Sequence, residues 1–197
     1  MTQRIVATAI EAFAGAFIYI PMLAILGKFF FCGVKTTVAL SVFAFYISAI
    51  YVITGLPNVF YMRPDDFIHL IPFVDMIHDW SNSLLNIVLF VPLGIFLPFL
   101  CDKYLRLKNT LAFGFLTTLT IELLQLFTYR KTDINDIITN IAGTFIGFAL
   151  AKLIIKKFPN LLLRFKQGEL YISVAVTVCV MFFLQPLAAD LIWSILH

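Results

Sequence analysis

Residues 122–125 read ELLQ and, after a short basic segment, residues 133–147 read DINDIITNIAGTFIG. This stretch places carboxylates, amides and small residues at helical spacing inside an apolar chain. Ionisable groups are costly in the hydrocarbon core of a bilayer, and a membrane protein that retains them generally uses them. The stretch therefore predicts two transmembrane helices that carry a functional site.

The composition of the whole chain is that of an integral membrane protein. Of its 197 residues, 61% are hydrophobic and 13% are charged, and the mean hydropathy is +0.99. A soluble domain is closer to roughly half apolar and a quarter charged. The net charge of +3 is too small to indicate a nucleic-acid partner. Cys32, Cys101 and Cys179 are scattered through apolar runs, so they imply neither a disulfide nor a metal framework.

Six apolar stretches are long enough to cross a bilayer, which takes about 20 residues. They run over Ile5–Leu26, Thr37–Leu56, Ser83–Leu100, Thr110–Thr128, Asp133–Ile155 and Leu170–Leu196. We therefore predict an all-α, polytopic transmembrane helical bundle of about six spans, with a polar pocket that faces outward. Prolines inside the first and last spans leave open whether these two cross the membrane fully.

The spans divide the chain into four predicted parts. These are two N-terminal transmembrane helices (1–56), an extracytoplasmic interfacial loop (57–82), a core of three transmembrane helices (83–155), and a cytoplasmic basic loop with a C-terminal transmembrane helix (156–197). With both termini outside, the inside connections hold nine Lys and Arg residues and the outside segments hold four. Cytoplasmic connections generally carry this excess, which places the outer end of the fourth span, near Glu122, at the outer surface.

Polar residues near the outer ends of three spans share helix faces. Glu122 and Gln125 are three residues apart, and the fifth span continues the pattern at spacings of three and four. The loop between these spans is short, so they are expected to be antiparallel neighbours. The predicted ligand-binding residues are Asn86, Glu122, Gln125, Arg130, Asp133, Asp136 and Asn140. The candidates for a catalytic role are Glu122 and Asp136.

Several of these residues also have a purely structural interpretation. Asp133 at the start of a helix suits an N-cap, which free amides and the helix dipole stabilise. Arg130 would pair with neighbouring acids or with lipid phosphate, and Asn86 would form an interhelical hydrogen bond. Glu122 is the hardest to explain structurally, because it lies two to three turns inside the hydrophobic zone, where a lone carboxylate is expensive.

Two further patterns complete the prediction. Small residues at a spacing of four are typical of a close-packing seam for another helix. This seam consists of Gly143, Gly147 and Ala151. No metal site is predicted, because the loop residues that share a potential helix face are too few to stand out from chance. They are Asp75, His78 and Asp79.

The combined motifs resemble the VanZ-like family. They are NIVLFVPLG at 86–94, ELLQLF at 122–127, Arg130, DIND at 133–136, NIAG at 140–143 and Gly147, preceded by IPF at 71–73. The resemblance covers about residues 70 to 155. It implies a multi-pass protein of the bacterial cytoplasmic membrane. The namesake of the family lies in glycopeptide-resistance clusters and is linked to low-level teicoplanin resistance, which implies a biological context rather than a reaction.

Three functions are compatible with this pattern. The preferred one is a membrane factor whose outward pocket engages an amphiphile: a membrane lipid, a lipid-linked cell-wall precursor, or the lipoglycopeptide antibiotic itself. The second is a membrane-embedded hydrolase or transferase acting on a lipid-linked substrate. Glu122 would then be the general acid or base, Asp133 and Asp136 would hold a cation or orient the substrate, and Arg130 would bind a phosphate. The third is a proton-coupled transporter. The cofactor and the oligomeric state stay open.

Overall fold

The structure is a computed structural model, and it describes residues 2–31, 33–55, 57–60, 68–69, 73, 80–128 and 132–196. Its long elements are helices α1 (Thr2–Phe30), α2 (Val34–Ile53), α3 (Trp80–Leu100), α4 (Leu107–Gln125), α5 (Ile134–Lys157), α6 (Gln167–Cys179) and α7 (Gln185–Leu196). Short 3-10 turns cover Asp102–Leu105 and Pro159–Leu161, and a π-helical segment, Val180–Leu184, joins α6 to α7. Two-residue strands β1 (Ile68–His69) and β2 (Thr132–Asp133) form one parallel pair.

The predicted all-α membrane bundle is confirmed. Among the described residues, five helices are long and apolar enough to cross a membrane by length and composition. They are Ile10–Phe30, Val34–Ile53, Trp80–Leu100, Ile134–Lys157 and the continuous run Gln167–Ile195. The remaining predicted span, Thr110–Thr128, corresponds to α4, a 19-residue helix that falls outside this set. Its polar residues, among them Glu122 and Gln125, lower its hydropathy and are the residues of the predicted site.

The helix ends differ from the predicted ones by up to four residues, and two of these differences concern the predicted outer loop and the predicted site. Helix α3 begins at Trp80, so residues 80–82, predicted as part of the outer loop, are helical. Helix α5 begins at Ile134 rather than at Asp133, because Asp133 has an extended backbone and caps the helix. The β1–β2 pair was not predicted, since two residues are too short to give an alternating pattern.

The chain divides into two compact units, which we describe separately. Unit 1 comprises Met1–Met62 and Lys166–His197, and unit 2 comprises Arg63–Phe165. In unit 1, α1 and α2 are joined by a buried 3.1 Å hydrogen bond between the hydroxyl groups of Tyr19 and Ser48. Gly15 of α1 lies against the side chain of Met181 in the π-helical segment, one turn from Tyr19 on the same face of α1.

The π-helical segment of unit 1 has a local cause. Pro186 has no N–H group and cannot bond to the carbonyl of the residue four positions earlier, Phe182. Widened turns often absorb such a break inside a helix. The Phe182 carbonyl instead accepts a 3.2 Å hydrogen bond from the Val59 N–H group. Because the Tyr51 hydroxyl also donates to the Pro57 carbonyl, the segment after α2 is fastened at two points.

In unit 2, α3 and α5 run parallel and very close together. A Cβ atom at Gly143 would collide with the Ile87 carbonyl oxygen, and one turn later a Cβ atom at Gly147 would collide with the Val91 carbonyl oxygen. A Cβ atom at Gly94 would lie 2.7 Å from the Phe148 backbone nitrogen. Small residues on both helices therefore permit contact between the two backbones, which fixes α5 as the platform for the polar residues at its start.

Candidate functional site

The candidate site lies between α4 and α5 of unit 2. The Glu122 side chain is 2% exposed and the Asn140 side chain 3%, so both polar groups are removed from the surface. The two helices are antiparallel, because Asn140 contacts Thr118 while the earlier residue Asp133 contacts Glu122. Thr118 and Glu122 are four residues apart and share one face of α4. The carboxylate and the amide therefore lie about one helical turn apart on facing helices.

Glu122 is held by the residues that precede α5. Its Oε2 atom accepts a 2.9 Å hydrogen bond from the Asp133 N–H group. Its backbone carbonyl accepts a 3.2 Å hydrogen bond from the Thr132 hydroxyl. Both residues of the short strand β2 therefore bond to Glu122. They orient its carboxylate from the connection between α4 and α5.

Asp133 acts as the N-cap of α5. Its Oδ1 atom accepts a 2.8 Å hydrogen bond from the Asn135 N–H group, two residues into the first turn. A capping side chain satisfies an amide that the helix leaves without a partner. Asp136 lies in the same first turn and is half-buried. The structure therefore gives Asp133 the structural role that its position at a helix start suggested.

The Asn140 side chain uses its amide nitrogen for a hydrogen bond, whereas its amide oxygen is open. Its Nδ2 atom donates a 2.8 Å hydrogen bond to the Thr118 hydroxyl. Its Oδ1 atom is buried and accepts no hydrogen bond from the residues that the structure describes. A buried acceptor without a donor costs about 1–3 kcal/mol. The orphaned Asn140 oxygen is therefore the clearest local indication that a ligand binds there.

Asn135 belongs to the site and was missed by sequence reasoning. Its buried Oδ1 atom accepts a 2.8 Å hydrogen bond from the N–H group of Phe73, 62 residues earlier in the chain. The neighbouring strand β1 pairs with β2, so Ile68 lies opposite Thr132. Phe73 has a positive φ of 69°, and its side chain is exposed. Asn135 thus fastens the segment before α3 to the start of α5.

Replacing Asn135 by Ala is expected to loosen this segment. The Phe73 amide would lose its acceptor, and the net contribution of such a bond, about 0.5–1.5 kcal/mol, corresponds to a roughly threefold to tenfold faster amide exchange. Hydrogen–deuterium exchange at Phe73 is the measurement. Asn109→Ala is the control, because the Asn109 side chain also bonds a backbone group, the Lys103 carbonyl six residues earlier, at 2.7 Å. Equal exchange at Phe73 in all three proteins would contradict the assignment.

The remaining predicted residues are placed as follows. Gln125 is buried on the same face of α4 as Glu122, and its carbonyl accepts from the Thr128 N–H group at 2.9 Å. Asn86 is half-buried on α3, one residue before Ile87, and the hydrogen bonds of the described part of the chain do not include its side chain. Ala151 is fully buried on α5. The other predicted positions, Arg130, Asp75, His78 and Asp79, lie outside the described residues.

The chemistry of the site follows from its donors and acceptors. A carboxylate has about four acceptor positions, and an amide oxygen has two. Within the described residues, no group of three or more His, Cys, Asp and Glu is placed to hold a metal ion. The arrangement thus suits a ligand that donates hydrogen bonds, such as a hydroxyl or ammonium group.

The fold and this site define a class: a multi-pass helical membrane protein with a buried polar site in one of its units. We call the buried residues Glu122, Gln125 and Asn140 of this site the polar cluster. A family model described as VanZ/LLP1 matches residues 42–156, more than half of the chain. The chain therefore belongs to the VanZ/LLP1 family, and the predicted resemblance is confirmed. The match begins inside α2, earlier than the residue 70 at which the motifs had placed its start.

Individual relatives are more distant. The chain is 36% identical over 66 residues to Protein VanZ of Enterococcus faecium. The aligned part is 33% of this chain and 40% of that protein, so the chain spans less than half the length of this relative. No solved structure matches the chain.

Proposed function

We propose that this protein acts at the outer face of the bacterial cytoplasmic membrane and lowers susceptibility to teicoplanin by engaging an amphiphile at the polar cluster. Candidate amphiphiles are a membrane lipid, a lipid-linked cell-wall precursor and the lipid-bearing antibiotic. Membership of the VanZ/LLP1 family supports the context. The observation that carries the proposal is the open, buried Oδ1 atom of Asn140 beside the Glu122 carboxylate. A headgroup that donates hydrogen bonds would satisfy the Asn140 oxygen and would lie close to the Glu122 carboxylate.

The charges of unit 2 support the outward orientation. Helix α5 ends at Lys156 and Lys157. The connection from α3 to α4 carries Lys103 and Arg106, and the first turn of α4 carries Lys108. Because α3 and α5 are parallel, these residues lie at the end of unit 2 opposite to Glu122. Basic residues favour the cytoplasmic side. The polar cluster would then open toward the outer leaflet.

The experiment is the resistance phenotype of Glu122→Gln. Wild type, expressed in a susceptible Gram-positive host, is expected to raise the minimum inhibitory concentration of teicoplanin and to leave that of vancomycin, which has no acyl tail, unchanged. Glu122→Gln is expected to return the teicoplanin value to that of the empty vector. A hydrogen bond to a carboxylate contributes about 1.5–3 kcal/mol, whereas one to a neutral amide contributes about 0.5–1.5 kcal/mol.

Glu169→Gln is the matched control for this experiment. Glu169 is also buried, and its Oε2 atom accepts a 2.9 Å hydrogen bond from the Lys166 N–H group, but it belongs to unit 1. It should keep full protection at the same membrane level, measured by immunoblot. Absence of protection by well-expressed wild type would overturn the resistance function. Equal loss in both variants would overturn the role of the polar cluster.

A second candidate is an enzyme that acts on a lipid-linked substrate. The burial of the Glu122 carboxylate favours it, since a group removed from water is suited to general acid or base chemistry. The two candidates differ in what Glu122→Gln protein does with a lipid-linked precursor. If the protein is an enzyme, Glu122→Gln protein would still bind the precursor and would fail to convert it. If it is a binding protein, Glu122→Gln protein would lose affinity for the precursor, and wild type would leave the precursor unconverted.

A further inference from the structure

The segment that follows α5 folds back across the end of α3 in unit 2. The Leu163 N–H group donates to the Phe99 carbonyl at 2.9 Å, and the Phe165 N–H group donates to the Leu100 carbonyl at 2.7 Å. The Arg164 Nε atom lies 3.8 Å from the Asp102 Oδ1 atom. These contacts fix residues 158–164 in place, and we call this segment the basic ledge.

The basic ledge exposes large apolar side chains. Phe158 and Leu161 are each 51% exposed and Leu163 is 41% exposed. Three such side chains within six residues form a concentrated apolar surface just after α5. The ledge is not a spanning helix, and irregular backbone exposed to lipid does not occur within the hydrocarbon core. A position at the level of the lipid headgroups satisfies both the apolar side chains and the polar backbone.

Basic residues are frequent in the segments that meet at this end of unit 2. The exposed ones in these segments are Lys103, Arg106, Lys108, Lys152, Lys156, Lys157 and Arg164. Between residues 102 and 108 and between residues 152 and 164, Asp102 is the single acidic residue. The Lys157 Nζ atom lies 5.4 Å from the centre of the Phe158 ring, so a positive charge sits directly beside an exposed apolar group. This alternation suits a surface that is both apolar and negatively charged.

We propose that the basic ledge, with the lysines next to it, binds the headgroups of anionic phospholipids. Phe158, Leu161 and Leu163 insert between the upper parts of the acyl chains, while Lys156 and Lys157 contact the phosphates. Long basic side chains reach the headgroups while their methylene stems cover apolar surface. Apolar insertion and electrostatic attraction together give a strength of binding that depends on lipid composition. This surface is separate from the polar cluster and does not depend on its function.

The test is lipid retention by the full-length protein in nanodiscs that contain phosphatidylcholine with increasing phosphatidylglycerol. Native mass spectrometry counts the phospholipids that stay bound after release. Wild type is expected to retain phosphatidylglycerol in preference to phosphatidylcholine. The double variant Lys156→Gln/Lys157→Gln is expected to lose about 30-fold in apparent affinity for phosphatidylglycerol, because each basic residue near an anionic surface contributes about fivefold. Higher salt should weaken wild-type binding as well.

The control double variant is Lys28→Gln/Lys35→Gln, which removes the same charge from two exposed lysines of unit 1. It should keep the wild-type affinity. Equal loss in both double variants would show a general effect of net charge and overturn the ledge as the site. Absence of a preference for phosphatidylglycerol in wild type would overturn it too. Inorganic phosphate at millimolar concentration should not compete, and full competition would mean a free-anion site in place of a lipid site.

Discussion

Gly147→Ala is expected to abolish the folding of unit 2. The added Cβ atom would collide with the Val91 carbonyl oxygen and would lie 2.9 Å from the Gly94 Cα atom. Both obstacles are backbone atoms of α3, which cannot turn away as a flexible side chain does. Overpacking of a rigid site costs about 1–3 kcal/mol and occasionally more. We expect a cost above that range, because α3 as a whole would have to shift.

Gly168→Ala provides the control for this substitution. Gly168 lies in the first turn of α6 in unit 1, and a Cβ atom built there meets nothing within 4 Å. Alanine is favoured over glycine in a helix by about 1 kcal/mol, so this variant should match or exceed wild-type stability. The measurements are the yield of monodisperse protein in detergent and the thermal unfolding midpoint. A Gly147→Ala protein with a wild-type midpoint would contradict the close approach of α3 and α5.

The seam illustrates what helical periodicity predicts and what it leaves undetermined. The spacing of Gly143, Gly147 and Ala151 predicts that one face of α5 packs closely on another helix. It does not identify that helix, because a periodic pattern describes a face and not the neighbour that covers it. The structure assigns α3, on which Gly94 makes the matching gap. The predicted spans have the same limit. Hydrophobicity predicts their number and their order along the chain, and it does not predict which spans pack together.

The arrangement of the polar cluster was likewise predictable in part. Helical spacing predicts that Glu122 and Gln125 share a face, and the structure buries both. The role of Asn135 was not predictable, because its acceptor oxygen meets a backbone N–H group 62 residues away. Backbone partners leave no trace in side-chain patterns. Pro186 marked a break in the last span, yet the bond from Val59 to the Phe182 carbonyl depends on which backbone segment lies nearby.

Asn140→Leu is expected to abolish protection against teicoplanin while the protein stays folded. Leucine has the same number of side-chain heavy atoms and the same branching as asparagine, and it removes the orphaned Oδ1 atom together with the bond to Thr118. Replacing both partners of a buried hydrogen bond by apolar groups of the same shape can be nearly neutral in stability, whereas a partner left unsatisfied costs about 1–3 kcal/mol. The Thr118 hydroxyl can turn toward the carbonyl of its own helix, as the Thr117 hydroxyl does toward Phe113 at 2.9 Å. We therefore expect the free energy of unfolding to change by less than about 1 kcal/mol.

Thr144→Val is the control for Asn140→Leu. Thr144 is fully buried one turn further along α5, and its hydroxyl donates to the Asn140 carbonyl at 2.9 Å. The change removes a hydroxyl from the same helix face and leaves the amide untouched, so protection should persist. Inhibitory concentrations and unfolding midpoints are measured on both variants. If Asn140→Leu lost stability and protection together, the amide would be a structural group.

Unchanged stability with lost protection would instead identify the open oxygen as a binding group, because only a ligand distinguishes it from an apolar replacement. This outcome is physically plausible for a membrane protein. An unsatisfied acceptor in an apolar setting lowers stability, so a sequence retains one where a bound donor offsets that cost. The Glu122 carboxylate lies one turn away and is likewise buried, and its Oε2 atom accepts a hydrogen bond from the Asp133 N–H group. Loss of protection by Glu122→Gln and by Asn140→Leu, with both proteins folded, would then define one site with two acceptors.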